Sequence, residues 1–334
     1  MNLPRAFFRY RDDIVKELAS NIHGSNLAMY DMMRYHMGWI DKQGYPQNAG
    51  GKLVRPTLLL LACECVGGEW RLALPAAAAV ELVHNFSLIH DDIEDGDQER
   101  RQRATVWRVW GEPQAINVGD AMHAMARLAL YCLNDKVKSP SKILQAANIL
   151  DTTCLELCEG QYLDISYEST FDINIDDYML MTDLKTASLI TCSLKIGALL
   201  GTDDEAIVRR FERFGRKLGM AYQMIDDVLG IWGDETVSDI YRKKKTLPIV
   251  YALEQASDQD RVKLLEIYSK KNINQTDIRQ VIHILNRLHA EKYSRDMAQE
   301  CYISALRELG EEGLSRPKFR ELVKVTDFLM DRKY

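Results

Sequence analysis

The 334-residue chain has only eight prolines and 19 glycines, and they gather at a few breaks instead of forming a linker or a low-complexity tract. Convincing alternating strands are missing, which excludes an all-β sandwich or barrel. No fixed-period repeat divides the chain, so it reads as one domain over residues 1–334. Cysteine is sparse: the seven residues include no C-x-x-C spacing, which excludes a zinc ribbon, and the odd number suits no disulfide scaffold. Cys154 and Cys158 stand four apart and read as core thiols. No uninterrupted apolar run reaches the ~18 residues that would cross a bilayer. The opening MNLPRAFFRYRDD lacks the apolar stretch of a secretory signal. A cytoplasmic chain with no membrane span is expected. Basic excess is missing too: the formal net charge is -6, which argues against a nucleic-acid partner.

What the chain does have is helical patterning. Apolar residues make up 46% of it, enough for a large core. They recur at three- and four-residue spacing in Leu53–Val66, Leu74–Asp92, Ala115–Leu133, Ile143–Ile165, Asp176–Leu200, Asp204–Trp232 and Asp277–Leu309. Ser139-Pro140, Gly201-Thr202-Asp203 and Gly310-Glu311-Glu312-Gly313 punctuate them. The expected architecture is all-α, a single bundle of ten or more helices. Its most apolar helices would lie in a central layer or against a second subunit.

Charge is concentrated where these helices end. LIHDDIEDGDQERR, Leu88 to Arg101, carries eight formal charges in fourteen residues directly after an apolar run. Asp91 and Asp95 lie one helical turn apart on one face, and Asp92 lies about 100° round. Carboxylates at a helix C-terminus oppose the helix dipole, an arrangement that makes sense if cations occupy the gap. Carboxylate oxygens suit hard ions, Mg²⁺ above all, which commonly takes one or two carboxylates plus phosphate oxygens. A second acidic pair, Asp226-Asp227 in AYQMIDDVLGIWGD, ends another apolar helix one turn after Gln223. Basic clusters alternate with the acids: Lys52 and Arg55 in GGKLVRP, Arg100-Arg101, and Arg242-Lys243-Lys244-Lys245. Arginine grips phosphate bidentately and lysine acts as a point charge. The pattern points to diphosphate held through divalent metal.

In order along the chain, GGKLVRP, VELVHNFSLIHDDIEDGDQERR, GQYLD, KTASL, YQMIDD and KKKTLP resemble the trans-isoprenyl diphosphate (polyprenyl) synthases, over roughly Gly50 to Leu253. The resemblance implies a helical bundle of the isoprenoid synthase type with a central cavity, usually a homodimer. It implies short-chain head-to-tail condensation of an allylic diphosphate with isopentenyl diphosphate. Asp91, Asp92 and Asp95 would hold Mg²⁺, three ions with substrate bound, with Asp226 and Asp227 on the opposite wall. Lys52, Arg55, His84 and Arg101 would bind isopentenyl diphosphate. Arg100, Lys185 and Lys244 would contact the allylic diphosphate. Thr186 and Gln223 would steady the cation, and Gln161 and Asp164 would line the cavity.

Two departures stand out. The second acidic motif reads D-D-V-L-G, so Gly230 stands where many members carry a third aspartate; Asp234 is a possible extra acid. The segment from Gly233 to Asp239 is shorter than usual and lacks a Gly-Lys step. By the resemblance, Phe86 and Ser87, five and four residues before Asp91, would form the floor for the growing chain, and an aromatic floor implies a C15 to C20 product. Alternatives are a class I terpene cyclase on the same fold, which needs no isopentenyl site, and a non-catalytic subunit of a prenyl synthase, which commonly loses the first acidic motif.

Overall fold

The computed structural model describes residues 3–24, 26–233, 238–310 and 317–331. Among them are sixteen α-helices: α1 (Arg5–Asn21), α2 (Ala28–His36), α3 (Val54–Cys65), α4 (Leu74–Glu94), α5 (Val106–Trp110), α6 (Glu112–Tyr131), α7 (Pro140–Glu168), α8 (Ile175–Thr182), α9 (Ser188–Gly201), α10 (Glu205–Trp232), α11 (Ser238–Tyr241), α12 (Leu247–Gln255), α13 (Asp258–Tyr268), α14 (Gln275–Arg287), α15 (Ala290–Leu309) and α16 (Pro317–Met330). The expected all-α class holds. The described β structure is one two-residue ladder, β1 (Glu99–Arg100) against β2 (Arg103–Ala104), and an isolated bridge between Ile40 and Pro46. The fold divides into two compact units, Met1–Asp151 with Cys192–Arg209, and Thr152–Thr191 with Arg210–Tyr334.

In the first unit α4 is the central element. Pro75 opens it, where a missing N–H costs nothing, and Gly96 follows its C-cap Asp95 with φ 66°, a backbone region glycine enters without strain. Every residue from Leu74 to Val83 is buried, because α3, α1 and α6 all pack on this helix. The run Ala76–Ala79 puts only small side chains in those contacts. Fully burying a side chain such as Leu82 contributes ~1.5–3 kcal/mol, so this packing fixes where the helix ends and its acids begin.

In the second unit Ile231, Ile240, Ile249, Leu253, Ile267, Val281, Leu285 and Ala290 belong to one core cluster, drawn from α10 to α15. Capping boxes start α8 (Asn174 with Asp177) and α14 (Asn274 with Asp277). The stretch expected as one helix from Asp277 to Leu309 is two, because His289 takes φ 54° between α14 and α15. The stretch Asp176–Leu200 is also interrupted, by a π-helical turn at Asp183–Ala187. Such turns mark functional positions more often than chance.

Two helical stretches, Trp70–Glu94 and Ile175–Gly201, are long and apolar enough to cross a membrane by composition, but 78% and 61% of their most apolar windows are buried within the fold. Core packing accounts for their hydropathy. All seven cysteines are free thiols. Cys154 is buried as expected, whereas Cys158 is exposed and is not a core thiol, since α7 leaves that position to the surface.

Candidate active site

In the first unit α4 delivers three acids at its C-terminal end. Asp91 and Asp95 are half-buried and one turn apart. Asp92 is only 1% exposed, and its Oδ1 accepts a 2.6 Å hydrogen bond from Arg100 Nε. Its Oδ2 is buried with no hydrogen-bond partner. Burial lifts the Asp92 carboxyl to about 6 against the opposing pull of Arg100. A buried aspartate whose second oxygen is unsatisfied is a place where a cation or its waters would be accepted.

Arg100 stands on β1, and the turn to β2 consists of Arg101 and Gln102 with φ 53° and 60°. Two left-handed residues make the mirror-image hairpin turn, normally built from asparagine and glycine. Sequence reading missed this hairpin because Arg-Gln gives no such signal. The described non-glycine residues at positive φ are Leu53, Arg101, Gln102, Lys243 and His289. All but His289 are, or adjoin, expected diphosphate-binding cations: Lys52, Arg100, Arg101 and Lys244. Each such residue costs on the order of 1–3 kcal/mol, a cost that tends to cluster at working sites.

The expected isopentenyl residues also belong to this unit. Arg55 Nη1 lies 3.2 Å from His84 Nε2. A guanidinium only donates, so Nε2 accepts and the imidazole proton resides on Nδ1. Burial, then Arg55, Arg101 and Arg100, hold His84 well below its usual pKa, so the ring is neutral. His36 is pushed down to about 3 by burial and by Arg100, Arg101 and Arg103. The arginines that contribute to both shifts surround these rings with positive charge. Lys52 and Arg101 are exposed and Arg55 is half-buried.

Glu81 and Asn85 were not anticipated. Glu81 is 3% exposed; its Oε1 accepts from Asn85 Nδ2 at 3.0 Å, and its Oε2 is unpartnered. Burial raises its pKa while Arg55 lowers it. Both residues line a cavity of about 440 Å³ together with Gly50, Gly51 and Arg101. The sequence did hold a signal, since Glu81 is the one charged residue between Leu74 and Val83. Phe86 is 8% exposed and meets the ring of His123 edge-on at 4.6 Å; Ser87 Oγ donates to the His84 carbonyl at 2.9 Å.

The second unit assembles the remaining residues. At Gly160, in GQYLD, a Cβ would lie 2.3 Å from Lys185 N and 2.6 Å from Lys185 Cα, so only glycine lets α7 approach the π-helical turn this closely. The turn carries Lys185 and Thr186. Lys185 Nζ bonds Asp164 Oδ2, and Lys244 Nζ lies 3.9 Å from the same oxygen, so Asp164 gathers two expected diphosphate ligands. Gln161 is half-buried one turn before it.

Asp226 is half-buried and Asp227 only 4% exposed. Asp227 Oδ2 accepts from the Tyr178 hydroxyl at 2.7 Å and the Leu247 backbone N–H at 2.9 Å, while its Oδ1 accepts from Gln223 Nε2 at 2.7 Å. Burial nevertheless raises the Asp227 carboxyl to about 7. Gln223 Oε1 in turn accepts from the Thr186 hydroxyl at 2.8 Å. Tyr178 could not be picked out beforehand, because in IDDYMLMT it looks like any apolar helix residue. Lys245 anchors the lysine run: it is buried, donates to the Glu168 carbonyl at 3.2 Å and lies over the rings of Phe171 and Tyr268 at 4.8 and 5.3 Å. Asp234 lies outside the described residues, as do residues 234–237 of the short loop.

The acids fit a hard, oxygen-seeking cation: they are all carboxylates, and Asp92 Oδ2 is a buried, unsatisfied acceptor. Among the described residues no three potential ligands form a ready-made protein cage. That suits Mg²⁺, which takes few carboxylates and completes its shell with waters and phosphate oxygens.

A helical fold with two aspartate pairs, each accompanied by lysines or arginines, has the chemistry of an enzyme that handles diphosphates. Residues 41–285 match the polyprenyl synthetase family. The chain is 41% identical over 257 residues to the geranylgeranyl diphosphate synthase of Mycobacterium tuberculosis, covering 75% of this chain and 72% of that one. It is 37% identical over 293 residues to a short chain isoprenyl diphosphate synthase of Methanothermobacter thermautotrophicus, covering 86% and 88%. Its fold matches that of a polyprenyl synthetase from Streptomyces coelicolor with a TM-score of 0.88 at 34% identity, covering 96% and 97%. The chain belongs to the polyprenyl synthetase family, and its class of activity is prenyl transfer.

Proposed function

We propose that this chain is a Mg²⁺-dependent synthase that joins an allylic diphosphate to isopentenyl diphosphate, head to tail, and releases a C15 to C20 trans-prenyl diphosphate. The observation that carries the reading is the Arg55–His84 pair, with Lys52 and Arg101 in the same unit as Asp91 and Asp95. It is a second anion site beside the acids, and a cyclase with one diphosphate substrate has no use for it.

Asp91, Asp95 and Asp226 are the half-buried acids suited to hold Mg²⁺, with Asp92 and Asp227 behind them. When bound, Mg²⁺ would neutralise charge on the departing diphosphate. Arg100, Lys185 and Lys244 contact the allylic diphosphate, and Lys52, Arg55 and Arg101 contact that of isopentenyl diphosphate. Neutral His84 offers Nδ1–H as a further donor. The Thr186 hydroxyl donates to Gln223, so its lone pairs are free to face positive charge developing on the allylic carbons. The proton lost after coupling passes to the departed diphosphate. Phe86, packed against His123, floors the growing chain. The enzyme works as a cytoplasmic homodimer; exposed Ile116, Leu128 and Tyr131 on α6 are apolar surface that a second copy would cover.

The test is incubation of the pure protein with Mg²⁺ and geranyl or farnesyl diphosphate, with and without isopentenyl diphosphate, followed by mass spectrometry. Longer diphosphates are expected only when isopentenyl diphosphate is present. Cyclic hydrocarbons in its absence would instead make the chain a cyclase, and no turnover would make it a non-catalytic subunit.

A further inference from the structure

The two acidic segments share a pattern that breaks at one position. The first reads Asp91-Asp92-x-x-Asp95 and the second Asp226-Asp227-x-x-Gly230. Residues four apart on a helix stack on one face, so Gly230 occupies the place relative to Asp226 that Asp95 occupies relative to Asp91. The second face therefore lacks a carboxylate of its own at that place.

The space is nevertheless filled by one. A Cβ built on Gly230 would lie 2.0 Å from Asp239 Oδ2 and 2.8 Å from Asp239 Cγ. These distances put the Asp239 carboxylate inside the volume that a side chain at 230 would occupy. The backbone around Asp239 fixes its position: the Asp239 carbonyl accepts from Lys244 N at 2.9 Å, tying α11 to the lysine run that leads into α12. The glycine thus has a steric reason, because alanine at 230 would force the Asp239 carboxylate out.

We infer that Asp239 supplies the third carboxylate of the Asp226 face, reaching across from α11 to the place that Gly230 leaves open, and so helps hold the divalent cation. The inference rests on the proposed metal-dependent reading. It also accounts for the glycine: a carboxylate arriving from outside α10 occupies the space a side chain at 230 would fill.

The experiment is Mn²⁺ binding followed by electron paramagnetic resonance, in the presence of inorganic pyrophosphate, with folding checked by circular dichroism. Asp239→Asn should weaken Mn²⁺ binding by about 10- to 100-fold, the usual range for losing a carboxylate that supports a metal site. Gly230→Ala should weaken it similarly by displacing Asp239. The exchange Gly230→Asp with Asp239→Gly should bind Mn²⁺ close to wild type. Unchanged binding in folded Asp239→Asn or Gly230→Ala overturns the inference, as does an exchange variant no tighter than Asp239→Asn. If the wild-type protein itself binds no Mn²⁺ with pyrophosphate, the metal-dependent reading fails, and this inference fails with it.

Discussion

The ends of α4 and α10 carry the same Asp-Asp step and stabilise it in opposite ways. In both, the second aspartate is buried and its carboxyl raised by burial, to about 6 for Asp92 and about 7 for Asp227. Asp92 is held by a cation, Arg100 at 2.6 Å, and keeps one oxygen unsatisfied. Asp227 is held by three neutral donors from Tyr178, Gln223 and Leu247. A pattern alike in sequence is thus a salt bridge in one place and a dipolar cradle in the other. In each, the first aspartate is the less buried of the two.

Removing the first aspartates should have the largest effect and should be the same at both ends. Asp91→Ala and Asp226→Ala should each lower kcat by about 10³-fold, the loss of a key electrostatic contribution to the transition state. A steady-state assay with radiolabelled isopentenyl diphosphate measures it, and a hundredfold disparity would show that the two ends are not equivalent in catalysis.

Removing the second aspartates should separate the ends by pH. A carboxyl raised in the folded state contributes stability that is full below its ordinary pKa and lost as pH climbs through the folded value. For Asp227 that window runs from 3.8 to about 7. Relative to Asp227→Asn, the wild type should therefore lose up to about 4 kcal/mol between pH 4 and pH 7 in metal-free buffer. For Asp92 the window closes near 6, so the corresponding loss against Asp92→Asn should be smaller. Urea unfolding at several pH values gives both curves, and parallel curves for wild type and variant would refute the assignment.

Removing the partners is the next step. Arg100→Ala leaves a buried charge alone and should cost about 3 kcal/mol at pH 7.5. At pH 5 the cost should shrink, because Asp92 can then take up a proton. Tyr178→Phe removes one neutral donor of three and should cost about 1–2 kcal/mol with little dependence on pH above 7. Equal costs for the two variants would erase the distinction between salt bridge and cradle.

The mildest change concerns product length alone. Phe86 lies one turn and a half before Asp91, while α10 contributes no residue to the proposed floor. Phe86→Ala should shift the product by about one or two isoprene units, as the hole beside His123 admits more chain. Mass spectrometry of the diphosphates shows it, and an unaltered product would end the floor role.

The helices were legible because burying an apolar stripe imposes its period directly on the sequence, as in Leu74–Val83 against three neighbours. The acids and cations were legible because so much charge at the end of an apolar run is conspicuous. The division of labour within each pair was not, since nothing in the letters Asp-Asp says which carboxylate is buried or what holds it. Tyr178 and Leu247 reach Asp227 through tertiary folding, 49 and 20 residues away along the chain. The π-helical turn at Lys185 and Thr186 was hidden too, for its close packing against Gly160 is a tertiary contact.

The left-handed residues beside the cations have a consequence for variation. Leu53, Gln102 and Lys243 carry no proposed role in binding, yet their backbone angles admit glycine or asparagine readily and β-branched side chains poorly. In a deep mutational scan these bystanders should tolerate a loss of side chain and reject valine or isoleucine. Their substitution profile would then be written by torsion angles, with no imprint of the substrate.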